Sequence, residues 1–160
     1  MDPAIAALWK KLNLKDGMAV AVEDRHGALA AAVTELRATR EVAPAPGPDT
    51  AFLLAFASTL PEVQAFAEQA RGLAHEDPVV WIAYPKGSSR YRCEFNRDTG
   101  WESLGAAGFE PVRQVAIDAD WSALRFRRVG NIASMTRSFA LTDAGREKAA
   151  RGRTAQRPAQ

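Results

Sequence analysis

The stretch "EPVRQVAIDADWSALRFRRV", residues 110–129, decides the fold. It reads as two strands around the turn Asp118-Ala119-Asp120, so a hairpin stands here and not a strand-helix crossover. In the second strand Leu124 and Phe126 face one side and Arg125 and Arg127 the other. That alternation suits an edge region, with one wet face and charges that discourage pairing between sheets.

Upstream of the hairpin the chain alternates short apolar runs with helical spacing. Asp2 and Pro3 open a helix carrying Ile5, Leu8 and Leu12 on one face. Lys15-Asp16-Gly17 turns the chain into "MAVAVE", residues 18–23, which has the length of a buried strand. "GALAAAVTELRA", 27–38, follows with Leu29, Val33 and Leu36 at helical spacing, then "EVAP" as a short second strand and "APGPD" as a loop. "TAFLLAFA", 50–57, and "PVVWIAY", 78–84, are apolar on both faces, as strands covered by helices on each side must be. Thr59 and Glu62 form a capping-box pattern, Thr99 and Glu102 a second, and Gly108 ends the short helix after it.

Strands alternating with helices imply a mostly parallel sheet with right-handed crossovers. The expected fold is therefore α/β and Rossmann-like, with helices on both faces and a C-terminal antiparallel hairpin. This is a reduced class I methyltransferase-like arrangement, with residues 1–132 as its one domain. From residue 133 the chain reads as a linker, a short amphipathic helix near 142–151 and a basic, disordered tail.

Composition is that of a soluble globular protein: 160 residues, 47% hydrophobic and 25% charged. The net charge of +2 is uneven, since residues 131–160 carry six Arg/Lys against Asp143 and Glu147, or +4, leaving −2 on the rest. A basic tail on a slightly acidic body is poor support for nucleic-acid binding. Cys93 is the only cysteine, which excludes an internal disulfide and makes a reducing compartment the default. "MDPAIAALWKKL" is no signal peptide, and no apolar run approaches the ~20 residues a membrane helix needs. The expected location is cytoplasmic, with no membrane partner.

The segments "WIAYPKGSSRYRCEFNRDTGW" and "GFEPVRQVAIDADWSALRFRRV" resemble a bacterial family known as domain-of-unknown-function family three-zero-five-two. The matching positions are Trp81, Ile82, Tyr84, Pro85, Lys86, Ser88, Ser89, Asn96, Arg97, Asp98, Gly100, Trp101, Asp120, Trp121, Ser122 and Arg125. The resemblance spans roughly residues 12–137 and is strongest after residue 78. It implies a small methyltransferase-like fold and no particular activity. Longer relatives carry a further domain named for bacteriocin protection.

The candidate sites follow from where such folds bind. A dinucleotide or S-adenosylmethionine site needs glycines after the first strand, so that backbone approaches the ligand closely. Here the turn reads "VEDRHGAL", with Gly27 alone, and Glu41 begins the second strand where an acid should close it. A methyltransferase or other nucleotide-dependent enzyme is thus the alternative reading, and no cofactor is expected. Glu23, Asp24 and His26 lack a converging partner cluster, so no metal is expected either. Neither His26 nor His75 is placed as a base for Cys93, and Ser88 and Ser89 lack a nucleophile elbow, so no catalytic residue is assigned. Trp81, Trp101 and Trp121 read as packing residues.

The loop after "WIAYP" remains. It lies beyond the carboxyl end of a parallel strand, where ligands of open α/β sheets bind. Lys86, Arg90 and Arg92 supply charge, Gly87, Ser88 and Ser89 supply donors, and Tyr91 a ring, which together make an anion site. The expected role is a non-catalytic binding or regulatory module for an anionic small molecule or a protein partner. Nucleic acid, through Arg125, Arg127, Arg128 and the tail, ranks third.

Overall fold

The computed structural model describes residues 1–132; the linker, helix and basic tail expected from 133 onward lie outside the described residues. Helix α1 (Pro3–Lys11) leads into β1 (Val20–Glu23), α2 (Ala30–Arg37) and β2 (Val42–Ala43). Next come β3 (Phe52–Phe56), α3 (Leu60–Arg71), β4 (Val79–Pro85) and α4 (Glu102–Ala106). The hairpin β5 (Phe109–Ala116) and β6 (Trp121–Arg128) precedes a 3-10 turn, Val129–Asn131.

One six-stranded sheet has the order β2-β1-β3-β4-β6-β5. The pairs β1–β2, β1–β3 and β3–β4 are parallel, while β6 is antiparallel to β4 and to β5. The mostly parallel sheet with its C-terminal hairpin is thus the architecture expected from the sequence. The hairpin enters it with its second strand innermost: β6 lies between β4 and β5, and β5 forms the outer edge. The alternation of Leu124 and Phe126 with Arg125 and Arg127 therefore marks a wet face on an interior strand. Face exposure and edge exposure are independent, and alternation reports only the first. β5 carries the edge features itself, with Pro111 beside a register shift and exposed residues at 112–114.

Two apolar layers sandwich the sheet. Trp9 and Leu12, with Val33 and Leu36 of α2, pack on Val20, Val22, Phe52, Leu54, Phe56 and Trp81. On the opposite face Val63, Phe66 and Ala70 of α3 and Leu104 of α4 pack on Leu53, Val80, Ile82, Leu124 and Phe126. All residues of β3 and β4 are buried, as strands with helices on both faces require. Each buried Val, Leu, Ile or Phe side chain among them contributes about 1.5–3 kcal/mol. The Trp81 indole N–H donates to the Leu12 carbonyl at 2.7 Å, fastening the end of α1 to the central strand.

Helix starts follow the caps in the sequence, with one exception. The Asp2 carboxylate accepts the Ala4 N–H at 2.7 Å, and Thr59 with Glu62 forms a full capping box. The second box does not form. Trp101 occupies the N-cap of α4 with no side-chain cap, and Thr99 donates its N–H and hydroxyl to Asn96 Oδ1 instead. The Asn96 carboxamide accepts from the same short turn and takes Thr99 out of competition for the helix.

Candidate functional site

Strand order reverses between β1 and β3, which places the expected ligand crevice at their carboxyl ends. Its walls are the turn Glu23–Gly27 and the start of α3. Gly27 adopts φ +69° and closes that turn. The Asp24 carboxylate accepts the amides of Ala28 at 3.1 Å and Leu29 at 2.7 Å. It thereby sits on the N–H groups at the start of α2 that a ligand's anionic group would otherwise use. Arg25 crosses to α3, with Nη1 3.4 Å from Glu62 Oε2 and its guanidinium over the Phe66 ring. Glu23 accepts from the Gln69 amide at 3.1 Å. An S-adenosylmethionine site does not fit these residues. Glu23 and Arg25 are committed across the crevice and Asp24 to the amides before α2, and β2 ends in Ala43 followed by Pro44, with no acid to meet a ribose.

Glu62 ties the crevice together. Its Oε1 accepts the Ser58 amide at 3.0 Å and the Thr59 amide at 3.1 Å. Burial works against its charge, but these hydrogen bonds, the Thr59 hydroxyl and Arg25 outweigh it and hold the carboxyl below its ordinary value.

The loop after β4 separates the residues expected to act together. Lys86 and Gly87 line a cleft of about 790 Å³ beyond the carboxyl ends of β4 and β5. Ser88 and Arg92 are exposed and do not line it. Ser89 turns inward: its hydroxyl donates to Asp120 Oδ1 at 3.0 Å and accepts the Tyr91 amide at 3.1 Å. Arg90 lies over the Tyr91 ring at 5.0 Å and donates to its hydroxyl at 3.0 Å. The Lys86 amide donates to the Asp120 carbonyl at 2.8 Å, so the loop is laced to the β5–β6 turn.

The cleft's second cation was missed from the sequence. Arg97 lines it together with Lys86, with Tyr91, Phe95 and Gln114 among its other walls and no carboxylate in the lining. Arg97 is carried by a loop that Trp101 pins: the indole N–H donates to the carbonyls of Asn96 at 2.9 Å and Arg97 at 3.0 Å. Rings of Tyr84, Phe95, Trp101 and Phe126 pack at 4.8–5.9 Å around that anchor. Gly100 adopts φ +93°, and a Cβ there would meet Phe95 Cβ at 2.5 Å. The Asn-Arg-Asp-Thr-Gly-Trp run was the available signal. An Asx turn closed by glycine and tryptophan presents the residue inside it.

The remaining candidates disperse. His26 packs at a tilt against Trp121 at 4.9 Å, His75 Nδ1 accepts the Asp77 amide, and burial raises the Cys93 thiol, leaving it unactivated. Among the described residues no His/Cys/Asp/Glu group is arranged to hold a metal, and no helix is long and apolar enough to cross a membrane. The three tryptophans Trp81, Trp101 and Trp121 are buried, as packing residues are. Of the arginine face, Arg127 pairs with Asp77 at 2.7 Å and Arg128 bonds the carbonyls of Leu73, His75 and Glu76. Only Arg125 is left.

No family model matches the sequence, and no similar curated protein was found. Among solved structures the chain is similar to a SAM-dependent methyltransferase from Aquifex aeolicus, at 16% identity and a TM-score of 0.50. The match covers 79% of this chain and 94% of that one. At this identity the likeness is one of fold, and the fold is methyltransferase-like.

Proposed function

We propose that the protein is a non-catalytic binding module that takes a small anionic ligand in the cleft beside β4. One observation carries the reading: Lys86 and Arg97 line the same cleft, and its lining holds no carboxylate. Two cations with aromatic walls suit a ring bearing a carboxylate or phosphate. This revises the sequence-based site, keeping Lys86 and Gly87, adding Arg97 and setting Ser88, Ser89, Arg90 and Arg92 aside. The committed side chains at the strand-order reversal favour binding without methyl transfer. Membership of the family named above and a cytoplasmic location belong to the same proposal.

Thermal-shift titration with nucleoside monophosphates and aromatic carboxylates is the test, because a ligand bound only by the native state raises the melting temperature. The shift should vanish in the double variant Lys86→Ala, Arg97→Ala and persist in Arg90→Ala. Saturable S-adenosylmethionine binding near 1 μM, about −8 kcal/mol, would instead establish the enzyme reading.

A further inference from the structure

On the α1 side of the hairpin two arginines face each other, with Asp77 near enough to act on one of them through its charge. Arg113 of β5 and Arg125 of β6 are direct cross-strand partners, a position where like charges destabilise a sheet. Arg125 is half-buried, its Nε is buried with no hydrogen-bond partner, and Trp81 is its partner across β4. The acids of this face gather one step along. Asp77 grips Arg127 through two bonds of 3.1 and 2.7 Å, and Glu110 is the cross-strand partner of Arg127. On the other side stand Val115 and Ala123, which carry no charge. Burial, with the charges of Arg127 and Arg113, weakens Arg125's hold on its proton, and the charge of Asp77 offsets this only in part.

We propose that Arg113 and Arg125 form a binding site for a phosphate group, separate from the cleft at Lys86. Two guanidinium groups carried by paired positions of neighbouring strands can share the oxygens of a dianion through charge-assisted hydrogen bonds. A dianion neutralises both charges, whereas a monocarboxylate leaves one over. The site rests on none of the residues of the cleft, so the two readings fail independently.

The test is titration of the folded protein with inorganic phosphate and pyrophosphate while following the arginine Nε–Hε resonances. The Arg125 signal is expected to shift and saturate with both, and to stay still with chloride at matched ionic strength. Arg113→Gln, at an exposed position, should weaken phosphate binding about tenfold or more, the loss of one charge-assisted contact. Lys86→Ala with Arg97→Ala should leave this titration unchanged. An Arg125 resonance that ignores phosphate, that moves equally with chloride, or that titrates normally in Arg113→Gln would overturn the site.

Discussion

Arg25 and Glu62 meet at 3.4 Å across the gap where the strand order reverses, joining the β1–α2 turn to the first turn of α3. The two ends of that bond are unequal. Arg25 is largely exposed, and an exposed ion pair contributes about 0–1 kcal/mol. Glu62 also completes the capping box and accepts the Ser58 amide. Glu62→Ala should therefore cost about 1–2 kcal/mol and Arg25→Ala clearly less. Denaturant unfolding of the two variants measures the difference, and a larger loss for Arg25 would make the bridge the main contact.

Acid should unfold the protein partly through two carboxylates. Hydrogen bonding to Arg127 lowers Asp77 from its ordinary 3.8 despite partial burial, and Glu62 is lowered from 4.5. Folded values below unfolded ones mean stabilisation that is full above those ordinary values and lost as pH falls through the folded values. Glu62→Gln and Asp77→Asn should each flatten the dependence of stability on pH below about 4.5. Melting curves between neutral and strongly acid pH show this directly.

Gly100→Ala should destabilise the protein by about 2 kcal/mol or more, because the residue holds a left-handed conformation and its new methyl meets Phe95 Cβ at 2.5 Å. Relief requires the Phe95–Trp101 packing to move, and with it the loop bearing Arg97. Calorimetric unfolding gives the stability loss. Ligand response in the cleft should weaken in the same variant.

Ser89→Ala should act on stability and not on ligand response. Its hydroxyl bonds Asp120 and the Tyr91 amide, a loss of about 1 kcal/mol. Anion-dependent melting should stay as in the wild type. A lost response with unchanged stability would return Ser89 to the site.

Cys93 should react slowly with iodoacetamide at neutral pH, since burial raises its thiol and keeps it protonated. Rapid alkylation in the folded state, matching the denatured rate, would contradict its placement.

The fold was legible because β3 and β4 are apolar on both faces and the hairpin turn is short, two signals local to their own segments. The position of β6 inside the sheet was not, because pairing with β4 is a contact between distant segments that alternation does not encode. The absence of a glycine cradle at residues 23–27 was readable from residue types alone. What Asp24 and Arg25 do in its place needed coordinates, since their partners lie on α2 and α3. Likewise Ser89 looked like a ligand donor until Asp120, 31 residues on, claimed its hydroxyl. Arg97 was overlooked because charge near a strand end drew attention, and a turn that presents a side chain from farther along did not.

The strand that seals the sheet is the last described one to leave the ribosome. Until Trp121–Arg128 emerges, β4 has an open edge of wholly buried-type residues and β5 has no neighbour to join. A nascent chain ending before residue 121 therefore exposes a sticky seam along Val79–Pro85, the kind that recruits chaperones or another chain. Closing it pairs β6 with the distant β4 and brings β5 in at the outer edge, so completion of the fold is a late, long-range step, and slow folding should track the pairing of β6 with β4.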